Sequence, residues 1–322
     1  MSDIKIYDST GRDLQPDDQI QRAISGYSPP GLVGHLFAPP ARVSRMFCYF
    51  PIVEKRQLRN DDLKRAYGTV SRLTGFTVAS AFVQCQPRGL ATNIPDEDWS
   101  GADDGWGIAK TAAFNLVTKF GVADEQEKVN LVNSTTNINT CYVVRSAWNG
   151  TTTSNPIQNI RTAMDYMQDT TGFRPNVLVF GPMAYRTMLV HSGVNAEVGN
   201  FKSAERFRQL FDVSTFAVAG GFYDGAEGFT GNPSFYFADQ VIMCVQPQNP
   251  DDAYGTRWAV TAYWSPVPEA SAPGRWMPYL HPHDPITKSR MLEVCDWSDT
   301  VVIDPRLAVV ISGVNSSQSG GL

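Results

Sequence analysis

Between Ser154 and Val194 the chain marks where its elements begin and end, and no other stretch narrows the fold as much. Asn155 stands where a helix cap is needed, Pro156 takes the first helical position and Gln158 the third, a capping-box arrangement. Ile157, Ile160, Met164 and Met167 follow at helical spacing, and Gly172 stops the run. The methionines are read as core rather than as ligands. Arg174-Pro175-Asn176 turns the chain into an apolar strand, Val177 to Phe180. Gly181-Pro182 then starts a second helix, which runs through Val190 and closes at His191-Ser192-Gly193. Downstream, Ser203 leads a helix from Ala204 to Phe211 into a strand from Val213 to Ala219. Further strand-like runs are Ser234 to Phe237, Val241 to Gln246, Arg257 to Trp264, Met291 to Trp297 and Leu307 to Ser312. Helices and strands alternate without βαβ regularity, so the class is α+β.

Upstream, residues 105 to 132 predict one long helix. Asp103 or Asp104 can cap its start, and Ile108, Ala112, Leu116 and Phe120 form an apolar stripe that continues less cleanly from Ala123 to Leu131. At 1.5 Å per residue it would be roughly 38 Å long, a spine rather than an ordinary packing element. Thr140 to Trp148 then reads as a strand, followed by a loop.

The first part of the chain is different in kind. Residues 1 to 43 are polar and then rich in proline and glycine, with no sustained helix or strand period, which predicts an extended arm. From Arg42 to Arg72 eight Lys/Arg (Arg42, Arg45, Lys55, Arg56, Arg59, Lys64, Arg65, Arg72) face three acids (Glu54, Asp61, Asp62), a local +5. Strand-like runs flank this stretch, Met46 to Val53 and Phe76 to Gln84, so a long hairpin leaving the body is expected. Five carboxylates with no base follow: Asp96, Glu97, Asp98, Asp103 and Asp104. A positive finger and a negative patch on one chain suit head-to-tail contact between identical copies. A nucleic-acid-binding finger and plainly solvated faces are the other readings of the same charges.

Several function classes are disfavoured. The longest apolar runs are about five residues, far below the ~18 of a membrane helix, and no signal peptide is visible at the N-terminus. With net charge −5, and only Lys5, Arg12 and Arg22 against five aspartates in residues 1 to 41, no polybasic arm is available to hold phosphates. No GxSxG, HExxH, GxGxxG or GxxxxGK[ST] occurs. His281 and His283, with Asp284, could hold a metal edge-on, but the stretch MPYLHPHDP reads as a surface connection, and no metal or cofactor is expected. The acidic cluster could be a glycosidase pair or a cation site. Without a DxDxDG loop it reads instead as a solvated or partner-facing patch. Cys48, Cys85, Cys141, Cys244 and Cys295 are scattered among apolar neighbours and read as small buried hydrophobes. The sequons at Asn133 and Asn149 carry no weight in a chain read as non-secreted. An enzyme is not expected. Only 18% of residues are charged, against about 25% in an average soluble chain, which suits a protein that hides surface against its own copies.

The segment SNPIQNIRTAMDYMQDTTGFRPNVLVFGPMAYRTMLVHSGV, with its continuation KSAERFRQLFDVSTFAVAG, resembles the major capsid proteins of tailed bacteriophages. The upstream order of arm, long hairpin and spine helix fits, as does the tail SRMLEVCDWSDTVVIDPRLAVVISGV. The resemblance implies the Hong Kong 97-type fold: an N-terminal arm (1–43), an extended loop (44–100), a peripheral domain on the spine helix (101–149), an axial domain (150–285) and C-terminal strands rejoining the peripheral domain (286–322). It implies a shell protein that assembles as hexamers and pentamers into an icosahedral capsid around double-stranded DNA, held non-specifically and loaded through a portal. Virions would be assembled in the cytoplasm of the host bacterium. Since the arm is short and non-helical, a separate scaffolding protein is expected, the alternative being a chain already processed; a decoration protein is a further candidate partner. Arg56, Arg59, Lys64 and Arg65 of one copy would lie near Asp96, Glu97, Asp98, Asp103 and Asp104 of the next. Lys55 or Lys64 would be the lysine of any covalent crosslink, with nothing to identify its asparagine. An encapsulin-like compartment shell, a tail or baseplate protein and a carbohydrate-acting enzyme are the alternatives.

Overall fold

The computed structural model describes residues 17–24, 27, 29–52, 79–101, 105–134, 136–138, 140–143, 148, 154–199, 203–223, 234–249, 252, 255–266 and 275–314. Two five-stranded sheets organise them.

The first sheet has the order β5 (Thr140–Val143), β14 (Ala308–Ser312), β10 (Val241–Cys244), β6 (Val177–Phe180), β7 (Thr215–Val218). Its outer pairs, β5 with β14 and β6 with β7, are parallel, and its inner pairs are antiparallel. Four helices pack on it: α5 (Pro156–Thr171), α6 (Pro182–Val190), α7 (Ser192–Val198) and α8 (Ala204–Phe211). Asn155 Oδ1 accepts from the Gln158 amide at 3.2 Å, and Gly172 closes α5 at φ 84°. Gln158 does not return the bond; its side chain reaches Thr162 instead (3.5 Å), so only half of the expected capping box forms. Ile157, Ile160, Met164 and Met167 are all buried, as their spacing predicts. Ser203 caps α8 through Arg206 N at 3.3 Å. At Gly181 an added Cβ would sit 1.7 Å from the Phe237 carbonyl, so the turn from β6 into α6 accepts no side chain.

The second sheet is built around β13 (Ser289–Val302). One edge of this 14-residue strand carries β4 (Gln86–Pro95), from Ser289 to Ser298. The other edge carries β12 (Met277–Leu280) and then β11 (Ala259–Tyr263), with β1 (Pro40–Arg42) parallel to β11. The pleat sends alternate residues of β13 to opposite faces. Leu292 and Val294 meet the long helix α4 (Gly105–Asn133) and α1 (Asp18–Ile24), while Cys295 and Trp297 meet the hairpin of β2 (Phe47–Ile52) and β3 (Ala79–Gln84).

The structure corrects several expectations. The arm is not wholly extended. Asp17 Oδ1 caps α1 through Gln19 N (3.0 Å) and Ile20 N (2.9 Å), burying Ile20 and Ile24, and a short helix α2 (Gly34–Phe37) follows. A single apolar pair per seven-residue helix leaves too little period to read from sequence. On α4 the buried stripe is Ala109, Ala113, Leu116, Val117 and Phe120; Ile108 and Ala112 lie half-buried on its flank. Small side chains along that line let the helix approach its neighbours closely. Finally, part of the Pro-rich stretch before His281 is the strand β12, and β13 starts and ends outside the expected Met291 to Trp297. The last strands do not return together, because β13 lies under α4 whereas β14 enters the first sheet.

Candidate inter-subunit surface

The hairpin β2–β3 pairs in register from Phe47 with Gln84 to Ile52 with Ala79. Its inward face puts Phe50 (4% exposed) and Val83 into the core beside β13, with the Arg257 guanidinium 5.5 Å from the Phe50 ring. The same alternation sends Phe47 (53%), Tyr49 (69%) and Phe82 (48%) outward. These rings gather on one another: Phe47 and Phe82 stack at 6.3 Å, and Tyr49 meets Phe82 at 5.3 Å. Three exposed aromatics clustered on one ribbon face, rather than scattered singly, make this face the candidate surface.

The expected basic residues Arg56, Arg59, Lys64 and Arg65 lie outside the described residues, as do Asp103 and Asp104. Asp96, Glu97 and Asp98 form the first turn of α3 (Asp96–Gly101), a favourable place for negative charge at a helix N-terminus. Asp96 Oδ2 is 2.7 Å from His283 Nε2, and His281 Nε2 is 3.0 Å from Glu293 Oε2. Asp284 is turned back on its own loop, accepting from Ile286 N and the Thr287 hydroxyl, both at 2.9 Å. The two imidazoles therefore serve separate carboxylates. Among the described residues, no group of three His, Cys, Asp or Glu is arranged to hold a metal. Beneath α3, Arg290 lies 4.6 Å over Trp99, which meets Trp106 edge-on at 6.3 Å. The ten residues of β4 put α3 roughly 30 Å from the root of the hairpin.

A charge cluster escaped the sequence reading. On the α4 side of β13, Asp296 is fully buried. It binds Arg275 (Nη2 2.7 Å), Arg88 (3.0 Å) and the Ser298 hydroxyl (2.6 Å). Both arginines also bind Asp124 of α4, Arg88 at 3.0 Å, and Arg88 reaches Glu127 at 2.8 Å. Burial pushes the Asp124 carboxyl up, but Arg275, Lys128 and Arg88 outweigh it and hold it below the ordinary carboxylate range. The signal in the sequence was the aspartate set between apolar neighbours in Val294-Cys295-Asp296-Trp297, since a charge buried there requires a partner. Every member is paired, so the cluster fastens helix to sheet and offers no free nucleophile. The thiols are equally quiet: burial pushes Cys85 and Cys295 up to about 12. Ser154 and His191, 3.4 Å apart, are both buried, and His191 Nδ1 accepts from Gly193 N to cap α7. Among the described residues no helix is long and apolar enough to cross a membrane.

No protein-family model and no curated protein matches the chain in sequence. Solved structures do match it. A phage-related protein from Bordetella bronchiseptica RB50 superposes with a TM-score of 0.73 at 18% identity, over 94% of this chain and 99% of that one. A protein named as the capsid protein of a prophage in E. coli CFT073 gives 0.58 at 13%, over 94% and 99%. A structure from Microbacterium phage Oxtober96 gives 0.53 at 12%, over 89% and 93%. At these identities the likeness is one of fold, and it runs over nearly the whole chain.

Proposed function

We propose that this chain, folded as phage capsid proteins are, is the major capsid protein of a tailed bacteriophage, a structural and non-enzymatic component of the virion. Copies assemble as hexamers and pentamers into an icosahedral shell that encloses double-stranded DNA, in the cytoplasm of the host bacterium. A separate scaffolding protein and a portal take part, with a decoration protein as a further partner. The observation that carries the reading is the aromatic face of the hairpin. A fold shared with shell proteins presents Phe47, Tyr49 and Phe82 to its surroundings on a two-stranded ribbon, and a second copy of the chain is the partner that would cover them. Arg56, Arg59, Lys64 and Arg65 extend the contact towards Asp96, Glu97, Asp98, Asp103 and Asp104 of the neighbour. Each exposed ion pair contributes only ~0–1 kcal/mol, so repetition around the shell and apolar burial carry the stability.

Electron microscopy and light scattering of the chain, expressed alone and with its scaffolding protein, test this. Closed shells or rings of five and six are expected, with DNA rather than enzyme cargo inside particles from infected cells. Replacing Phe47 and Tyr49 together by serine should leave the subunit folded and abolish shells; Arg56→Glu with Arg59→Glu should impair them. A chain that stays monomeric beside its scaffold would end the capsid reading.

A further inference from the structure

The free edge of the second sheet is β4, and its register tells which backbone groups lie on that edge. In an antiparallel pair, residues alternate between bonding the neighbouring strand and turning their amides away from it. Asp96 N, one residue past β4, donates to Lys288 O at 3.0 Å, in line with the β4–β13 register. Beyond β12, His281 N donates to Met291 O at 2.8 Å, so odd-numbered residues of β13 face β12 and even-numbered ones face β4. Even-numbered residues of β4, from Gln86 to Ile94, therefore bond β13. The odd-numbered ones, Pro87, Gly89, Ala91, Asn93 and Pro95, turn their backbone groups outward, and all five are exposed. Among the described residues, no hydrogen bond from the Gly89, Ala91 or Asn93 amide is made.

The order of residues along this edge is symmetric. Pro87 and Pro95 stand at equal distances on either side of Ala91, and Gly89 and Asn93 do so within them. The prolines have no amide hydrogen to offer, so a ladder built on this edge stops at the same point in both directions. An edge guarded against pairing carries its proline or charge where a partner strand would lie. Here the middle positions are Gly89, Ala91 and Asn93, small and uncharged. On the α4 side of the strand Leu90 is 38% exposed beside Thr92, leaving apolar surface for a partner strand to cover.

We propose that the β4 edge pairs antiparallel with the β4 edge of a second copy of this chain, around a two-fold axis at Ala91. Ala91 then lies opposite Ala91 of the second copy, Gly89 opposite Asn93, and Pro87 opposite Pro95. Every outward amide meets a carbonyl, and the positions that lack an amide meet each other. Leu90 falls opposite Thr92 in the closely spaced position between ladder bonds, where side chains touch. Sliding one copy by two residues would set a proline against Cys85 or Glu97, outside the strand, so this register keeps the whole run from Pro87 to Pro95 paired. The contact is isologous and consumes the edge, so it closes at two copies instead of growing into a longer sheet. A single ribbon edge is a small contact, and the pair forms reversibly.

The test is disulfide trapping in the full chain. Ala91→Cys sets two thiols across the axis with Cα atoms about 5.5 Å apart, within disulfide reach. Asn93→Cys sets them roughly 14 Å apart along the strands, beyond it. With copper–phenanthroline as oxidant, Ala91→Cys should give at least tenfold more covalent dimer on a non-reducing gel than Asn93→Cys or the parent chain, whose own cysteines set the background. Asn93→Pro added to Ala91→Cys removes an outward amide from each copy and no bond to β13. Trapping should fall several-fold while the melting temperature stays near the parent's. Leu90→Pro, whose amide faces β13, should melt well below the parent. No dimer from Ala91→Cys, equal trapping through Asn93→Cys, trapping indifferent to Asn93→Pro, or a Leu90→Pro chain that melts like the Asn93→Pro one would each overturn the proposal. The gel reads the pair whether or not shells form, so the capsid reading and this one stand or fall separately.

Discussion

The two sheets of this molecule are held together by different physics. In the first, all eight residues of the central strands β6 and β10 are buried and none is charged. Its helices come from the continuous stretch that begins at Asn155. In the second, α4 meets β13 through an apolar patch at Leu292 and Val294 and, beside it, a ring of arginines and aspartates, and the elements come from distant parts of the chain. Arg88 and Asp296 are 208 residues apart in sequence. An apolar layer loses stability in proportion to the volume removed. A layer fastened by buried charge fails abruptly when one partner is lost, because the other remains desolvated and alone.

Substitutions should expose that contrast. Asp296→Ala leaves two buried arginines to share Asp124, with Glu127 reaching only Arg88, and is expected to cost about 3 kcal/mol in denaturant unfolding; a loss under 1 kcal/mol would mean the cluster is not a fastening. Leu178→Ala in β6 should cost about 2–5 kcal/mol, with no dependence on salt. Acid should separate the layers without mutation. Asp124 titrates below its ordinary range in the folded chain, so its stabilisation is complete above the unfolded value and is lost as pH falls through the lowered folded one. Amide hydrogen exchange in α4 should therefore accelerate below about pH 4 before exchange in β6 does; simultaneous loss of protection would contradict the contrast. Asn155→Ala removes a single cap bond and should cost about 1 kcal/mol. Phe82→Ser, on the exposed face of the hairpin, should change subunit unfolding by less than about 0.5 kcal/mol, while shell yield falls.

The same contrast explains what could be read in advance. Asn155, Pro156, Gly172, Gly181 and Ser203 each act on neighbours within a few residues, so α5, β6, α6 and α8 were legible with near-correct ends. β4 was invisible: Gln86-Pro-Arg-Gly-Leu-Ala-Thr-Asn-Ile-Pro95 carries two prolines and a glycine and has no strand pattern. It is a strand because β13 lies beside it. Among the described residues β4 has no other strand partner, an edge position that tolerates prolines. The acidic turn of the candidate surface was legible from composition. The outward aromatic face was not, because alternation marks two faces without saying which one the body of the protein covers.

From its own order of residues the chain determined the α+β class, the spine helix and the capped helices on the first sheet, since those depend on contacts between residues a few positions apart. Tertiary structure alone decided that the arm folds onto α4, that β13 pairs with three other strands, and that Arg88, Asp124, Arg275 and Asp296 meet. Each of those outcomes rests on partners brought together across the chain, and a buried charge or an edge strand acquires its meaning only from the partner it finds.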